Sequence, residues 1–220
     1  LGVLTTAQVR ALETRDVAVL TTDQIAALSS AQIAALRTTQ IAVLTTSQVA
    51  AIETADVSAL SVAAVAAMNT EQIAALTTAQ LSVFSTRQIA ALETRDVAVL
   101  STSQVESLSS SQVAALTTAQ VGALSTAAVA AIETTDISAL SAAGVAALNT
   151  AQVGVLTTEQ LAVLTTAQVR ALETRDVAVL TTAQVEALTS TQLGALTTAQ
   201  IGALSTAAIV AIETTDISGL

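Results

Sequence analysis

The chain has 220 residues and a formal net charge of −10, so it lacks the basic surface with which proteins neutralise nucleic-acid phosphates. It contains no His, Cys, Lys, Tyr, Trp or Pro. This composition removes most of the side chains that serve as nucleophiles, general bases and metal ligands. We therefore expect a protein that is not an enzyme, holds no cofactor and binds no nucleic acid.

Hydrophobic residues make up 52% of the chain, and the mean hydropathy of +0.70 is high enough to suggest a membrane protein. A membrane-spanning helix needs about 20 apolar residues in succession. The longest apolar run, residues 62–68, has only seven. The pattern therefore predicts no membrane insertion.

The chain is a tandem repeat of eight residues, which begins with Leu4–Ala11 (LTTAQVRA) and continues to Gly219 through 27 octads without insertion or deletion. We number the octad from its leucine as position 0. In most copies, position 0 is Leu, positions 1 and 2 are Thr or Ser, and position 4 is Gln or Asp; position 5 is Val, Ile or Leu. Regular repeats of this kind are typical of solenoids, in which each unit packs mainly on its neighbours.

Each octad carries the signals of one short helix. Thr5 and Gln8 have the spacing of a capping box, and Leu4 and Val9 occupy the flanking staple positions. The cap itself is position 1 or position 2, because position 2 is the more strictly Thr or Ser. On a helix, positions 4, 5, 7 and the next 0 share one face, and positions 2, 3 and 6 lie opposite. The sequence thus predicts an all-α solenoid of short capped helices, one per octad.

Two other folds fit parts of the pattern. In a β-solenoid, positions 0, 2 and 4 and then 5 and 7 would alternate inward, but corners rich in Gly, Asn and Asp are missing. In one unbroken helix the apolar stripe would advance by about 80° per octad, so no partner could follow it. The β-solenoid remains the alternative.

A longer period of 40 residues, or five octads, is laid over the repeat. It is marked by a Glu-Thr-x-Asp variant at 13–16, 53–56, 93–96, 133–136, 173–176 and 213–216. Duplication of a five-octad block would produce this period without structural meaning. Alternatively, five octads form about one superhelical turn, and the variants stack in a column.

If the Glu-Thr-x-Asp octads stack, their side chains form the one candidate charged site in the sequence. Ca²⁺ takes six to eight oxygen ligands, so a column of carboxylates is a candidate calcium ladder. The competing interpretation is that acidic residues in the first turn interact with the positive end of the helix dipole, with no metal bound. We favour the second and predict no metal site. The ladder candidates are Glu13, Asp16, Glu53, Asp56, Glu93, Asp96, Glu133, Asp136, Glu173, Asp176, Glu213 and Asp216.

The phrase LTTxQ[IV]AA resembles the tandem repeats of very long bacterial surface or secreted proteins that are described as adhesin-like. The resemblance implies an extracellular or cell-surface stalk, spacer or fibre segment. Its partners would be neighbouring repeats or further copies of the same chain in a homo-oligomeric fibre. A self-assembling filament subunit and a solenoid module that binds protein or glycan are the alternatives. Because no polar capping unit is visible, we expect residues 1–220 to be one continuous solenoid taken from a longer array.

Overall fold

In the computed structural model, which describes residues 2–212, the chain is all-helical: the described part forms 26 short α-helices and no β-strand. The predicted fold class, a solenoid of one capped helix per octad, is confirmed. None of the described helices is long and apolar enough to cross a membrane. The chain divides into two compact units, Leu1–Ala115 and Leu116–Leu220. That the whole chain is one continuous solenoid stays a prediction.

The helices follow one another at intervals of eight residues. In the first unit they are α1 (Thr6–Ala11), α2 (Thr14–Ala18), α3 (Thr22–Ala26), α4 (Ser30–Ala35), α5 (Thr38–Ile41), α6 (Thr46–Ala50), α7 (Thr54–Val57), α8 (Val62–Ala66), α9 (Thr70–Ala74), α10 (Thr78–Ser82), α11 (Thr86–Ala91), α12 (Thr94–Val97), α13 (Thr102–Glu106) and α14 (Ser110–Ala114). In the second unit they are α15 (Thr118–Ala123), α16 (Thr126–Ala130), α17 (Thr134–Ile137), α18 (Ala142–Ala146), α19 (Thr150–Gly154), α20 (Thr158–Ala162), α21 (Thr166–Ala171), α22 (Thr174–Val177), α23 (Thr182–Glu186), α24 (Ser190–Leu193), α25 (Thr198–Ala203) and α26 (Thr206–Ala211).

Each helix begins after position 1, which resolves the ambiguity about the cap. In α10, the Thr77 hydroxyl accepts a hydrogen bond from the Gln80 N–H at 3.1 Å, and the Gln80 Oε1 accepts one from the Thr77 N–H at 2.9 Å. This reciprocal pair is the capping box that the spacing predicts. In the described part of the chain, the same reciprocal pair begins every helix that has Ser, Thr or Asn at position 1 and Gln at position 4, whereas helices such as α8 and α16, with Ala at position 4, lack it.

The corners between helices are built without glycine. At the start of α11, Ser85 is extended (φ −68°, ψ 158°), and at its end Leu92 is again extended (φ −59°, ψ 135°). No residue in the described part of the chain has a positive φ. Two extended residues at positions 0 and 1 therefore turn the chain from one helix to the next. This geometry explains why a shortage of glycine does not prevent a tightly wound solenoid.

The core consists of positions 5 and 0. Most residues at position 5, such as Leu81 and Val97, are completely buried, and most residues at position 0, such as Phe84 and Leu100, are nearly so. Position 7 does not belong to the core, contrary to the predicted helical face: it is half-buried where it is Ala and mostly exposed where it is Val. The helices are so short that position 7 already lies at the edge, where the chain leaves the helix.

One turn of the solenoid takes three to four octads. In each unit, a helix contacts the third helix before it and the third after it, as α10 contacts α7 and α13. Helices that are five octads apart within a unit, such as α7 and α12, do not contact each other. The prediction of about five octads per turn is therefore wrong. The 40-residue sequence period is not the period of the superhelix.

Candidate functional site

The most regular arrangement of polar groups is a buried glutamine bridge between turns. The Gln80 side chain is 1% exposed. Its Nε2 donates to the carbonyl of Val49 at 2.9 Å and to that of Ile52 at 2.7 Å, which lie 31 and 28 residues earlier. Its Oε1 accepts from its own helix cap. One amide therefore completes the start of a helix and holds the end of a helix in the preceding turn.

The same bridge recurs along both units. Glutamines that donate to a carbonyl 28 residues earlier are Gln32, Gln40, Gln48, Gln72, Gln80, Gln88, Gln104, Gln112, Gln152, Gln160, Gln168, Gln184, Gln192 and Gln200. Buried amides must be hydrogen-bonded, and each of these makes bonds at both ends. The Gln at position 4 therefore fixes which residues of consecutive turns lie next to each other.

In the acidic octads, Asp replaces Gln at position 4, and its carboxylate cannot form this bridge because it has no N–H to donate to a carbonyl. In α12, the Asp96 Oδ2 accepts from the Glu93 N–H at 3.1 Å, so the cap function is kept. The Arg95 Nε lies 2.8 Å from the Glu93 Oε2 and 3.8 Å from the Asp96 Oδ1. The Glu–Arg pair is exposed and contributes little to stability.

Asp56 and Asp176 also accept a hydrogen bond from a hydroxyl in a neighbouring turn. The hydroxyl of Ser30 donates to the Asp56 Oδ1, and that of Thr150 donates to the Asp176 Oδ1 at 2.9 Å; in both cases the hydroxyl lies 26 residues earlier. The Oδ1 of Asp96 is buried and has no hydrogen-bond partner. Asp96 is therefore a buried carboxylate with one unsatisfied oxygen.

The candidate calcium ladder is not assembled as a column. Each Glu lies at the helix cap, and each Asp lies three residues later in the same octad, at Glu13 and Asp16, Glu53 and Asp56, Glu93 and Asp96, Glu133 and Asp136, and Glu173 and Asp176. Successive copies within a unit do not stack, because α2 does not contact α7 and α17 does not contact α22. Within residues 2–212, no group of three or more acidic side chains could hold a metal ion. Glu213 and Asp216 lie outside the described residues.

Asp96 predicts a specific pH dependence of stability. Burial raises the pKa of the Asp96 carboxyl, against the opposing effects of the Glu93 N–H and the Arg95 guanidinium. The folded state therefore holds the proton more tightly than the unfolded chain. The stability that the folded state gains from this tighter proton binding is fully present below the unfolded pKa of about 3.9. It is lost as the pH rises through the folded pKa of Asp96.

We therefore expect Asp96→Asn to be more stable than the wild type by up to about 1 kcal/mol at pH 7, because a buried negative charge with one oxygen that accepts no hydrogen bond is removed. The gain should shrink towards pH 3, as measured by guanidinium unfolding at both pH values. Asp56→Asn is the matched control, since Asp56 already accepts a hydrogen bond from Ser30. An equal gain in both variants, or a gain for Asp96→Asn that does not depend on pH, would contradict this account.

Comparison with solved structures finds a similarity to the leucine-rich repeat-containing protein LegL7 from Legionella pneumophila. The two are 10% identical, the match covers 85% of this chain and 76% of that chain, and the TM-score is 0.22. Comparison with curated protein sequences finds no match.

The sequence profile of the ALTTAQ repeat matches the chain six times, over residues 1–30, 26–52, 49–86, 89–126, 129–166 and 169–206. The last three matches begin 40 residues after the match before them, which is the spacing of the Glu-Thr-x-Asp octads. The matches together cover nearly all of residues 1–206. The chain belongs to the ALTTAQ repeat family.

Proposed function

We propose that the chain is a structural spacer, which forms part of an extracellular stalk or fibre of a bacterial surface or secreted assembly. The observation that carries this proposal is the glutamine bridge. In both units, the side chain of a buried Gln repeatedly joins the cap of its own helix to main-chain carbonyls of the preceding turn. A spacer needs a cross-section that is maintained along its length, and a repeated link of this kind maintains it locally.

The bridge also suits a segment that bears load. An extending force acts along the chain, so the bonds between turns must break before a turn can unwind. Most octads with a buried Gln contribute at least two bonds from its amide to the preceding turn, as at Gln72 with Ile41 and Leu44. Many equivalent links allow one turn to yield while the others hold, as is expected when stability is a sum of neighbour interactions.

The proposal is tested with an antibody raised against the 220-residue chain and applied to cells of the source organism. Immunogold labelling of intact cells is expected, with gold particles lying outside the outermost envelope layer. Cells whose gene is deleted serve as the control. Labelling that requires permeabilised cells would contradict an extracellular role, because the repeat would then lie inside the envelope.

A further inference from the structure

A cleft in the first unit gathers two arginines that have no acidic partner. It has a volume of about 540 Å³ and is lined by Arg10, Ala34, Leu36, Arg37, Thr38, Thr39 and Ser61. Arg10 lies in the last turn of α1, and Arg37 precedes α5. The side chains of both arginines are exposed, so that a solute can reach them.

Arg10 and Arg37 differ from the arginines of the acidic octads. Arg15, Arg95 and Arg175 each form an ion pair with the Glu two residues before them, at 2.8 Å. Within residues 2–212, neither Arg10 nor Arg37 forms an ion pair with a carboxylate. Because the chain has a net charge of −10, we would expect most arginines to lie next to a carboxylate. Arg10 and Arg37 do not, and both line the same cleft.

The guanidinium of Arg37 is partly fixed in place. One of its terminal nitrogens donates to the main-chain carbonyl of Leu12 at 2.9 Å, which lies in the neighbouring turn. A guanidinium has five N–H donors in a rigid plane, so this bond leaves others for a ligand. The hydroxyls of Thr38, Thr39 and Ser61 add neutral donors along the same cleft.

We propose that this cleft binds an oxyanion: a carboxylate, sulfate or phosphate group carried by a small polar molecule. Planar guanidinium groups recognise such groups through paired, charge-assisted hydrogen bonds, and hydroxyls can complete the shell. The site goes beyond the proposed spacer role and does not depend on it. It would add a binding function to one place in an otherwise repetitive scaffold.

The second unit contains a natural comparison. The segment from Leu4 to Thr22 is repeated letter for letter from Leu164 to Thr182, so Arg170 corresponds to Arg10. The corresponding position to Arg37 is Thr197. The cleft there, of about 450 Å³, is lined by Arg170, Ala171, Leu172, Glu173, Thr174, Arg175, Thr197 and Gln200. One of its two arginines, Arg175, is already paired with Glu173, so we expect this cleft to bind the oxyanion much more weakly.

The test is an NMR titration of the full 220-residue chain, in which the Nε–Hε resonances of the seven arginines are followed. Sodium sulfate, sodium phosphate and sodium acetate are added separately, each against sodium chloride at equal ionic strength. Arg10 and Arg37 are expected to shift saturably with at least one of the three anions, whereas Arg87 and Arg170 are not. Saturation by acetate alone would identify a carboxylate site, and saturation by sulfate or phosphate alone a tetrahedral-anion site.

Two exchanged variants make the test decisive. Arg37→Thr copies the second cleft and should weaken binding at least tenfold. Thr197→Arg copies the first cleft and should make Arg170 respond to the same anion. Circular dichroism checks that both variants keep the helical fold. The proposal is overturned if all arginines shift together without saturation, or if Arg37→Thr binds like the wild type and Thr197→Arg creates no new response.

Discussion

Gln80→Ala is expected to lower the free energy of unfolding by about 2–4 kcal/mol, since it removes every hydrogen bond that the Gln80 side chain makes. The Ile52 carbonyl is buried and receives the Gln80 Nε2 at 2.7 Å. The Thr77 N–H loses the acceptor that it has at 2.9 Å. Burial prevents water from replacing the bond to Ile52 without disturbing the core, so the loss should exceed that of an ordinary helix cap.

Gln8→Ala is the matched control for Gln80→Ala. Gln8 accepts from the Thr5 N–H at 2.8 Å in an equivalent capping box, but it is exposed, and within residues 2–212 its amide donates to no carbonyl of another turn. Its replacement should cost no more than about 1 kcal/mol, the usual value of a helix cap. Guanidinium unfolding followed by circular dichroism gives both values. Equal losses at the two positions would mean that the bridge to the preceding turn contributes nothing beyond capping.

Leu81→Ala should destabilise the protein by about 2–5 kcal/mol, because a large side chain is removed from a closely packed position. Leu81 is completely buried in α10, which packs between α7 and α13. Val83 belongs to the same octad but is 38% exposed. Val83→Ala is therefore expected to change the stability by about 0.5 kcal/mol or less.

The pair of variants at Leu81 and Val83 tests which face of the octad forms the core. Both residues lie on the apolar arc that helical periodicity predicts, yet only Leu81 is buried. A thermal unfolding series that includes both variants separates the two cases. A Val83→Ala loss as large as that of Leu81→Ala would show that position 7 belongs to the core after all.

The features that could be predicted from the sequence are those that a single octad determines. Thr77 and Gln80 lie at capping-box spacing, and a hydroxyl at position 1 can reach the N–H three residues later in any helix of this kind. Leu81 and Phe84 have the spacing of one helical face, so their burial follows from hydrophobic periodicity. The helix, its start and the two main core positions therefore follow from local chemistry.

The stacking period could not be predicted, because it depends on the angle between consecutive helices. That angle is set by the extended residues at positions 0 and 1, such as Leu92 at the end of α11, and these look alike in every octad. The Glu-Thr-x-Asp variant recurs every 40 residues, or five octads, whereas the helices pack against each other three octads apart. Likewise, the amide of Gln80 fits the cap in the sequence, whereas its bonds to Val49 and Ile52 depend on tertiary structure.

Within the acidic octads, the sequence also could not distinguish Asp56 from Asp96. Both follow Glu-Thr-x, but the hydroxyl of Ser30 donates to Asp56, whereas one oxygen of Asp96 has no partner. The difference lies in how a side chain 26 residues away is placed, which no local pattern encodes. The pH dependence expected for Asp96 is therefore a consequence of the stacking.

Thiol cross-linking tests the stacking period most directly, since the chain contains no cysteine of its own. Thr150 and Asp176 are 26 residues apart and joined by a 2.9 Å hydrogen bond between their side chains. Thr150 and Ser190 are 40 residues apart, in α19 and α24, which do not contact each other. Because Asp176 is completely buried, where a cross-linking reagent would not reach a thiol, the pairs are compared by direct disulfide formation under a mild oxidant. Thr150→Cys/Asp176→Cys should form a disulfide within one chain, and Thr150→Cys/Ser190→Cys should not. Rapid cross-linking of the second pair and not the first would contradict a turn of three to four octads.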